Sequence, residues 1–204
     1  MEFDPASCRG CDLQYNGMHA YSRVHKGIGR KVMFIGEAPG RKEGEQHLAF
    51  VGDSGKMLNA WINYMLVSNY IITNAVRHRP VTSTGTNRTP NSKEIIACNK
   101  YLEDEIKHEQ PKFIVYLGKT SLTSRGITVR KMKDSVIHSF VNPYWYGKNG
   151  EIGIVLFHPS YVTRKHYDIT PLLDMLADII LNPPVKDEIH PTVKKMIGEV
   201  GFPA

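Results

Sequence analysis

Residues 31–55, KVMFIGEAPGRKEGEQHLAFVGDSG, join an apolar run of strand length, a sharp turn bearing glycine and proline, and an acidic loop. Their reading decides the fold. Residues 32–35 are continuously apolar, as expected of a strand buried on both faces of a parallel sheet. Gly36, Pro39 and Gly40 end that strand abruptly. In an open α/β sheet ligands bind outside the carboxyl ends of the strands, so the turn exposes its backbone where chemistry is expected. Taken alone, Gly-Glu-Ala-Pro-Gly reads equally well as an ordinary β-to-α connection.

Working outward, strand and helix patterns alternate. Met57, Leu58, Trp61, Ile62, Met65 and Leu66 recur at helical spacing, with Asp53 or Ser54 as the cap of a first crossover helix. Residues 70–73 form a second buried strand with Asn74 at its carboxyl end. Residues 79–91 are rich in Thr, Ser, Gly and Asn without apolar periodicity, and read as a surface loop. A helix follows over 92–108, capped by Asn91 or Ser92 and stopped by Gln110-Pro111. Residues 113–117, FIVYL, make a third strand, with Gly118 as its turn and a short helix over 119–124. Residues 152–157 are a fourth strand that delivers His158-Pro159-Ser160. Residues 172–181 pack as a last helix. Residues 126–145 read as edge strands and loops, with no role assigned to His138, and residues 182–204 as an uninterpreted tail. Strands alternating with helices imply an α/β fold with a mainly parallel sheet.

Composition narrows the functional classes. The 204 residues, 41% hydrophobic, suit one domain spanning 1–204, and a net charge of +6 with a pI near 9.2 suits a polyanionic partner. There is no apolar run of membrane-spanning length and no secretory pattern at the N-terminus, so a cytoplasmic protein is expected. Three cysteines cannot build a disulfide framework. Cys8 and Cys11, spaced Cys-x-x-Cys, can reach one metal or cluster, or act as a redox pair.

Four motifs carry a resemblance that runs from Cys8 to Arg164. GEAPG at 36–40 with Glu43 and Phe50-Val51-Gly52, ITN ending at Asn74, IVYLG at 114–118 and HPSYVTR at 158–164 together resemble the uracil-DNA glycosylase superfamily, in its thermophile-type iron–sulfur branch. The resemblance implies a three-layer α/β/α sandwich around a mainly parallel four-stranded sheet. It also implies hydrolysis of the N-glycosidic bond of a pyrimidine flipped out of DNA, uracil by default, by a monomer whose partner is DNA. Glu43 is then the candidate for negative charge or an oriented water at the sugar, with Glu37 assisting, and His158 the donor to the base oxygen. Gly36, Ala38, Phe50 and Asn74 would form the base pocket, Phe50 stacking on the base and Asn74 reading its Watson–Crick edge. Arg164, Ser160 and Arg88 would meet DNA, with Arg77 and Arg79 as further phosphate contacts. Asn87 stands where a related branch has a histidine that traps DNA covalently, so no trap is expected.

The same resemblance implies a 4Fe-4S cluster on Cys8, Cys11, Cys98 and, in place of the usual cysteine, His78. Other departures are Ala38 for an aspartate in the turn of the wider superfamily, Gly44 for an aspartate, Ala49 for a proline and Thr163 for a leucine. Gly44 and Ala49 suggest room for an enlarged pyrimidine, such as a hydroxymethylated or glycosylated phage base. A binder of uracil-containing or modified DNA that does not cleave it is the other alternative.

Overall fold

The apolar runs become strands: β2 (Val32–Gly36), β3 (Tyr70–Asn74), β4 (Phe113–Leu117) and β6 (Ile152–Leu156), lying side by side and parallel. The computed structural model describes residues 3–127, 144–147 and 150–185. Two short strands, β1 (Arg23–His25) and β5 (Tyr144–Tyr146), border the four antiparallel, giving the order β1-β3-β2-β4-β6-β5. The expected four-stranded sheet is therefore a mixed six-stranded one. Strand β5 falls at the end of the stretch read as edge strands and loops, whereas β1, with three residues, is too short for an alternating pattern to stand out in sequence.

Side chains alternate across the sheet, so each central strand supplies two cores. Val32, Phe34, Ile72, Val115 and Ile154 face α2 (Asp53–Tyr64) and α6 (Thr170–Leu181), which answer with Leu58, Trp61, Ile62, Leu172, Leu176 and Ile179. Met33, Ile35, Ile71, Ile114 and Tyr116 face the other way, against Leu102 and Ile106 of α3 (Ser92–Glu109) and Leu122 of α4 (Lys119–Thr123). The result is the expected α/β/α layering. Burying a side chain such as Phe34 or Ile114, each 0% exposed, contributes about 1.5–3 kcal/mol.

Helix ends follow local chemistry. Asn91 caps α3 by accepting the Glu94 N–H at 3.0 Å, and the Glu94 carboxylate accepts the Asn91 N–H at 2.8 Å, a reciprocal box. Gln110, left-handed at φ 47°, closes that helix before Pro111. Gly52 rather than Asp53 or Ser54 occupies the cap position of α2. Two further short α-helices are α1 (Arg41–Gln46), inside the stretch read as an acidic loop, and α5 (Pro159–Lys165), directly after β6, while single 3-10 turns cover Pro5–Ser7 and Asp12–Asn16.

The chain steps from β2 to β3 on one side, then crosses to β4 on the other side of β2. The carboxyl end of β2 is thus the switch point of the sheet, where a crevice opens. The pairs Gly36↔Asn74 and Leu117↔Leu156 bring all four central strand ends to one edge. Among the described residues no helix is long and apolar enough to cross a membrane. His138 and residues 186–204 lie outside the described residues.

Candidate active site

A cleft of about 1090 Å³ opens at that edge, bordered by Glu37, Ala38, Glu43, Phe50, Asn74, Arg88, His158, Ser160 and Arg164. These are the sequence-derived candidates for chemistry and DNA contact other than Gly36, Arg77 and Arg79. Gly36 lies underneath: a Cβ there would stand 2.4 Å from the Phe50 ring and 2.6 Å from Asn74 Oδ1. Only glycine lets both side chains settle over the end of β2.

Phe50 owes its position to a left-handed backbone, φ 56°. Its carbonyl accepts a hydrogen bond from the Arg23 guanidinium at 2.9 Å and presses on Gly55, where a Cβ would come within 1.8 Å of that oxygen. The Phe50 ring is 5.9 Å from the His158 ring. Asn74 is 3% exposed, and its Oδ1 is buried with no hydrogen-bond partner in the structure. A buried amide left unmatched is expensive, and one that borders a cleft awaits a partner from outside.

His158 Nδ1 accepts the Ser160 backbone N–H at 3.3 Å and lies 2.9 Å from the Ser160 hydroxyl. Because a backbone N–H can only donate, Nδ1 is the acceptor and the ring proton sits on Nε2. Burial, with the Arg164 guanidinium second, pushes the imidazole down to about 4, so it is neutral at pH 7. Ser160 therefore fixes the tautomer of His158, an engagement the sequence did not suggest.

The two carboxylates differ. Glu37 accepts one hydrogen bond, from the Thr120 hydroxyl at 2.6 Å. Glu43 accepts the Gly40 N–H on Oε2 at 3.2 Å and the Gly52 N–H on Oε1 at 2.7 Å, so both its oxygens clasp backbone. The expectation that Glu43 stands free to orient a water meets this double engagement.

Several basic residues are also committed. The Arg88 fork meets Glu94 at 2.9 and 2.5 Å and its Nε reaches the Val81 carbonyl, so it braces the loop at the border of the cleft. Arg77 is 2% exposed and pairs with Glu105 at 2.6 Å, which removes it from DNA contact. Arg79 holds Asn87 Oδ1 at 2.7 Å. Sequence reasoning missed Thr120, Arg23 and Lys119, the last bordering the cleft just past β4. No motif marked any of them.

Gly44 and Ala49 are corrected outright as evidence for an enlarged pocket. A Cβ at Gly44 would meet Met18, 2.8 Å from its Cε, and Ala49 is 1% exposed within the core under α2. Neither borders the cleft.

Behind the turn, the three cysteines gather as free thiols. Cys98 packs with Leu13, Val76 and Ile95, and Cys11 and Ala38 lie against the same cluster. Burial pushes the Cys98 thiol up to about 11, opposed by the Arg77 backbone N–H and reinforced by Cys8 and Cys11. Cys8 is raised by burial and then by Cys11. His78, one residue beyond the N–H that reaches Cys98, is held down to about 4 by burial and then His19, and its Nδ1 is buried without a partner. Among the described residues no three such groups are close enough to grip a single ion. Three neighbouring thiols suit iron–sulfur ligation, while the His78 ring lies against Phe3 and His19.

The chain matches the model of the Uracil DNA glycosylase superfamily over residues 26–179. It is 30% identical over 165 residues to the Type-4 uracil-DNA glycosylase of Thermotoga maritima, covering 78% of this chain and 79% of that protein. The protein of that name from Archaeoglobus fulgidus is 33% identical over 171 residues, covering 78% and 79%. That of Sulfurisphaera tokodaii is 42% identical over 94 residues, covering 45% and 41%.

Titration tests the electrostatics of the cleft. A histidine pushed from 6.5 to about 4 stays neutral in the folded protein while the unfolded chain takes up its proton. Its contribution to stability is therefore complete above 6.5 and is lost as pH falls from there toward 4. The His158 ring resonances should hold constant through neutrality and move only near pH 4. A midpoint near 6.5 would contradict a ring desolvated by burial.

Proposed function

The chain belongs to the uracil DNA glycosylase superfamily, and from that premise we propose that it hydrolyses the N-glycosidic bond of a uracil flipped out of DNA into the cleft. The observation that carries this reading is the buried, unpartnered Oδ1 of Asn74 at the cleft. Uracil presents a donor at N3 and an acceptor at O4, which one amide satisfies together, whereas cytosine presents the reverse pair. A base that leaves the buried amide unpaired is discriminated against by the full desolvation cost. Phe50, fixed by Arg23 and Gly55, offers the face on which the base stacks.

As the bond from C1′ to the base breaks, its electron pair moves onto the base and positive charge grows on the sugar. His158 Nε2–H donates to the base oxygen where the negative charge collects, and no proton need leave the neutral ring. Glu37, bonded only through Oε2 to Thr120 among the described residues, keeps Oε1 for the attacking water and takes its proton as oxygen bonds to C1′. Glu43 contributes negative charge near the sugar while clasping the loops. Arg164 and Lys119, exposed at the rim, meet phosphates. The chain is expected to act as a cytoplasmic monomer, with DNA as its partner.

The donor set behind the turn supports a 4Fe-4S cluster held by Cys8, Cys11, His78 and Cys98. It would supply a structural cross-link between the N-terminal segment and α3, since hydrolysis transfers no electrons. Iron and acid-labile sulfide should be found in about equal amounts in the purified protein, and Cys98→Ser should lower its thermal stability. Protein prepared anaerobically without either element would remove the cluster.

Single-turnover release of free base from uracil-containing oligonucleotides tests the chemistry. His158→Ala and Glu37→Gln should each slow release roughly a hundredfold, the scale of one preorganised electrostatic partner, with DNA affinity little changed. Glu43→Gln, which keeps one accepting oxygen, should lose less. Full speed in Glu37→Gln beside an inert Glu43→Gln would return the water to Glu43.

A further inference from the structure

Helix α5 ends at His166, whose left-handed backbone (φ 51°) turns the chain so that Tyr167 lies against Phe157. Three rings pack together as a triangle. Phe157 and Tyr161 are 5.2 Å apart between centroids, Phe157 and Tyr167 are 5.4 Å apart and within 3° of parallel, and Tyr161 and Tyr167 are 5.9 Å apart. Phe157 is buried, but Tyr161 is only half-buried where it borders the cleft, and Tyr167 is 44% exposed. The cluster thus reaches from the core at Phe157 to the cleft border at Tyr161 and to solvent at Tyr167.

Its surroundings suit a nucleotide. Arg164 and Lys165 stand exposed in the last turn of α5, where they complement a phosphate backbone. Proteins that pry a duplex open push a large apolar side chain between base steps. The exposed positions of α5 after Tyr161 hold no such wedge: Thr163 turns its hydroxyl to the Pro159 carbonyl at 3.1 Å and to the Met57 sulfur at 3.5 Å. What α5 and the residue after its cap present instead is cations and two tyrosine rings already held against Phe157, so a base can pack on them without first ordering loose side chains.

We propose that Tyr161 and Tyr167 form a stacking platform for the nucleotide adjoining the flipped base, and that this platform makes an unpaired strand the preferred substrate. In a duplex the neighbouring base can reach the platform only by giving up its own pair. In a single strand it loses none. The inference rests on the glycosylase reading, because that reading puts the flipped base beside Tyr161.

The test pairs side chains with bases. Single-stranded oligonucleotides carry one uracil, with either normal neighbours or an abasic spacer on its 5′ or 3′ side, and are titrated by fluorescence anisotropy and followed in single turnover. For the wild type, a spacer on one side should weaken binding roughly tenfold, within the range of one base–aromatic stack, while the rate at saturation changes little. Tyr161→Ala and Tyr167→Ala should already be weak, indifferent to the spacer and without preference for single strands over duplex. Tyr161→Phe and Tyr167→Phe should behave as the wild type, which separates stacking from loss of fold. A wild type indifferent to both spacers, or alanine variants that keep the full spacer effect, would overturn the platform. Spacer and tyrosine effects on binding without uracil release would uphold the platform and remove the glycosylase.

Discussion

The carboxylate of Glu43 holds the site together. One oxygen accepts the N–H of Gly40, which ends the turn after β2, and the other accepts the N–H of Gly52, which opens α2. Both partners are glycine for a steric reason, since a Cβ would stand 2.7 Å from the carboxylate at Gly40 and 3.0 Å from it at Gly52. The clasp sets the distance between the turn carrying Glu37 and the segment carrying Phe50. Phe50 then has little freedom, its carbonyl held by Arg23 and pressed on Gly55, its ring lying over Gly36. Charge-assisted bonds to backbone N–H groups are stronger than neutral ones, which suits an interaction that fixes two loops at once.

The same turn is supported from behind. Ala75 and Val76 donate to the carbonyls of Gly36 and Glu37, continuing the pairing of β2 with β3 beyond the strand ends. Val76 and Ala38 pack with Cys98 and Leu13, so the cysteine cluster forms the back wall of the catalytic turn. A cross-link there would stiffen the cleft at a distance from the reacting atoms. Polar groups are divided accordingly: the loop arginines pair with Glu94, Glu105 and Asn87, while the buried Oδ1 of Asn74 has no partner among the described residues and His158 borders the cleft.

How much of this was legible depended on length and on partners. The four central strands were read because strands buried on both faces are continuously apolar, and α2 and α3 because their stripes repeat over several turns. Strand β1, at three residues, and α1, with Gly44 in place of an apolar stripe, left no pattern to read, while β5 falls at the end of the stretch read as edge strands and loops. At the site, Asn74 and His158 were legible through the family motifs that carry them, and both stand at strand ends that border the crevice. The engagements of Glu43, Arg88 and Arg77 were not, because each partner is set by how loops fold back and not by spacing along the chain. Gly44 misled for the same reason: its neighbour is Met18, twenty-six positions earlier.

The central claim is that four strand ends preorganise a pocket for one base, read by Asn74 and activated through neutral His158. The most direct measurement is a crystal structure with single-stranded DNA carrying a 2′-fluorinated deoxyuridine, which resists cleavage. The account predicts the uracil in the cleft against Phe50, the Asn74 amide within hydrogen-bond distance of N3 and O4, and His158 Nε2 within reach of the remaining base oxygen. A base seated elsewhere, or bound in the cleft with the Asn74 amide still unmatched, would contradict it.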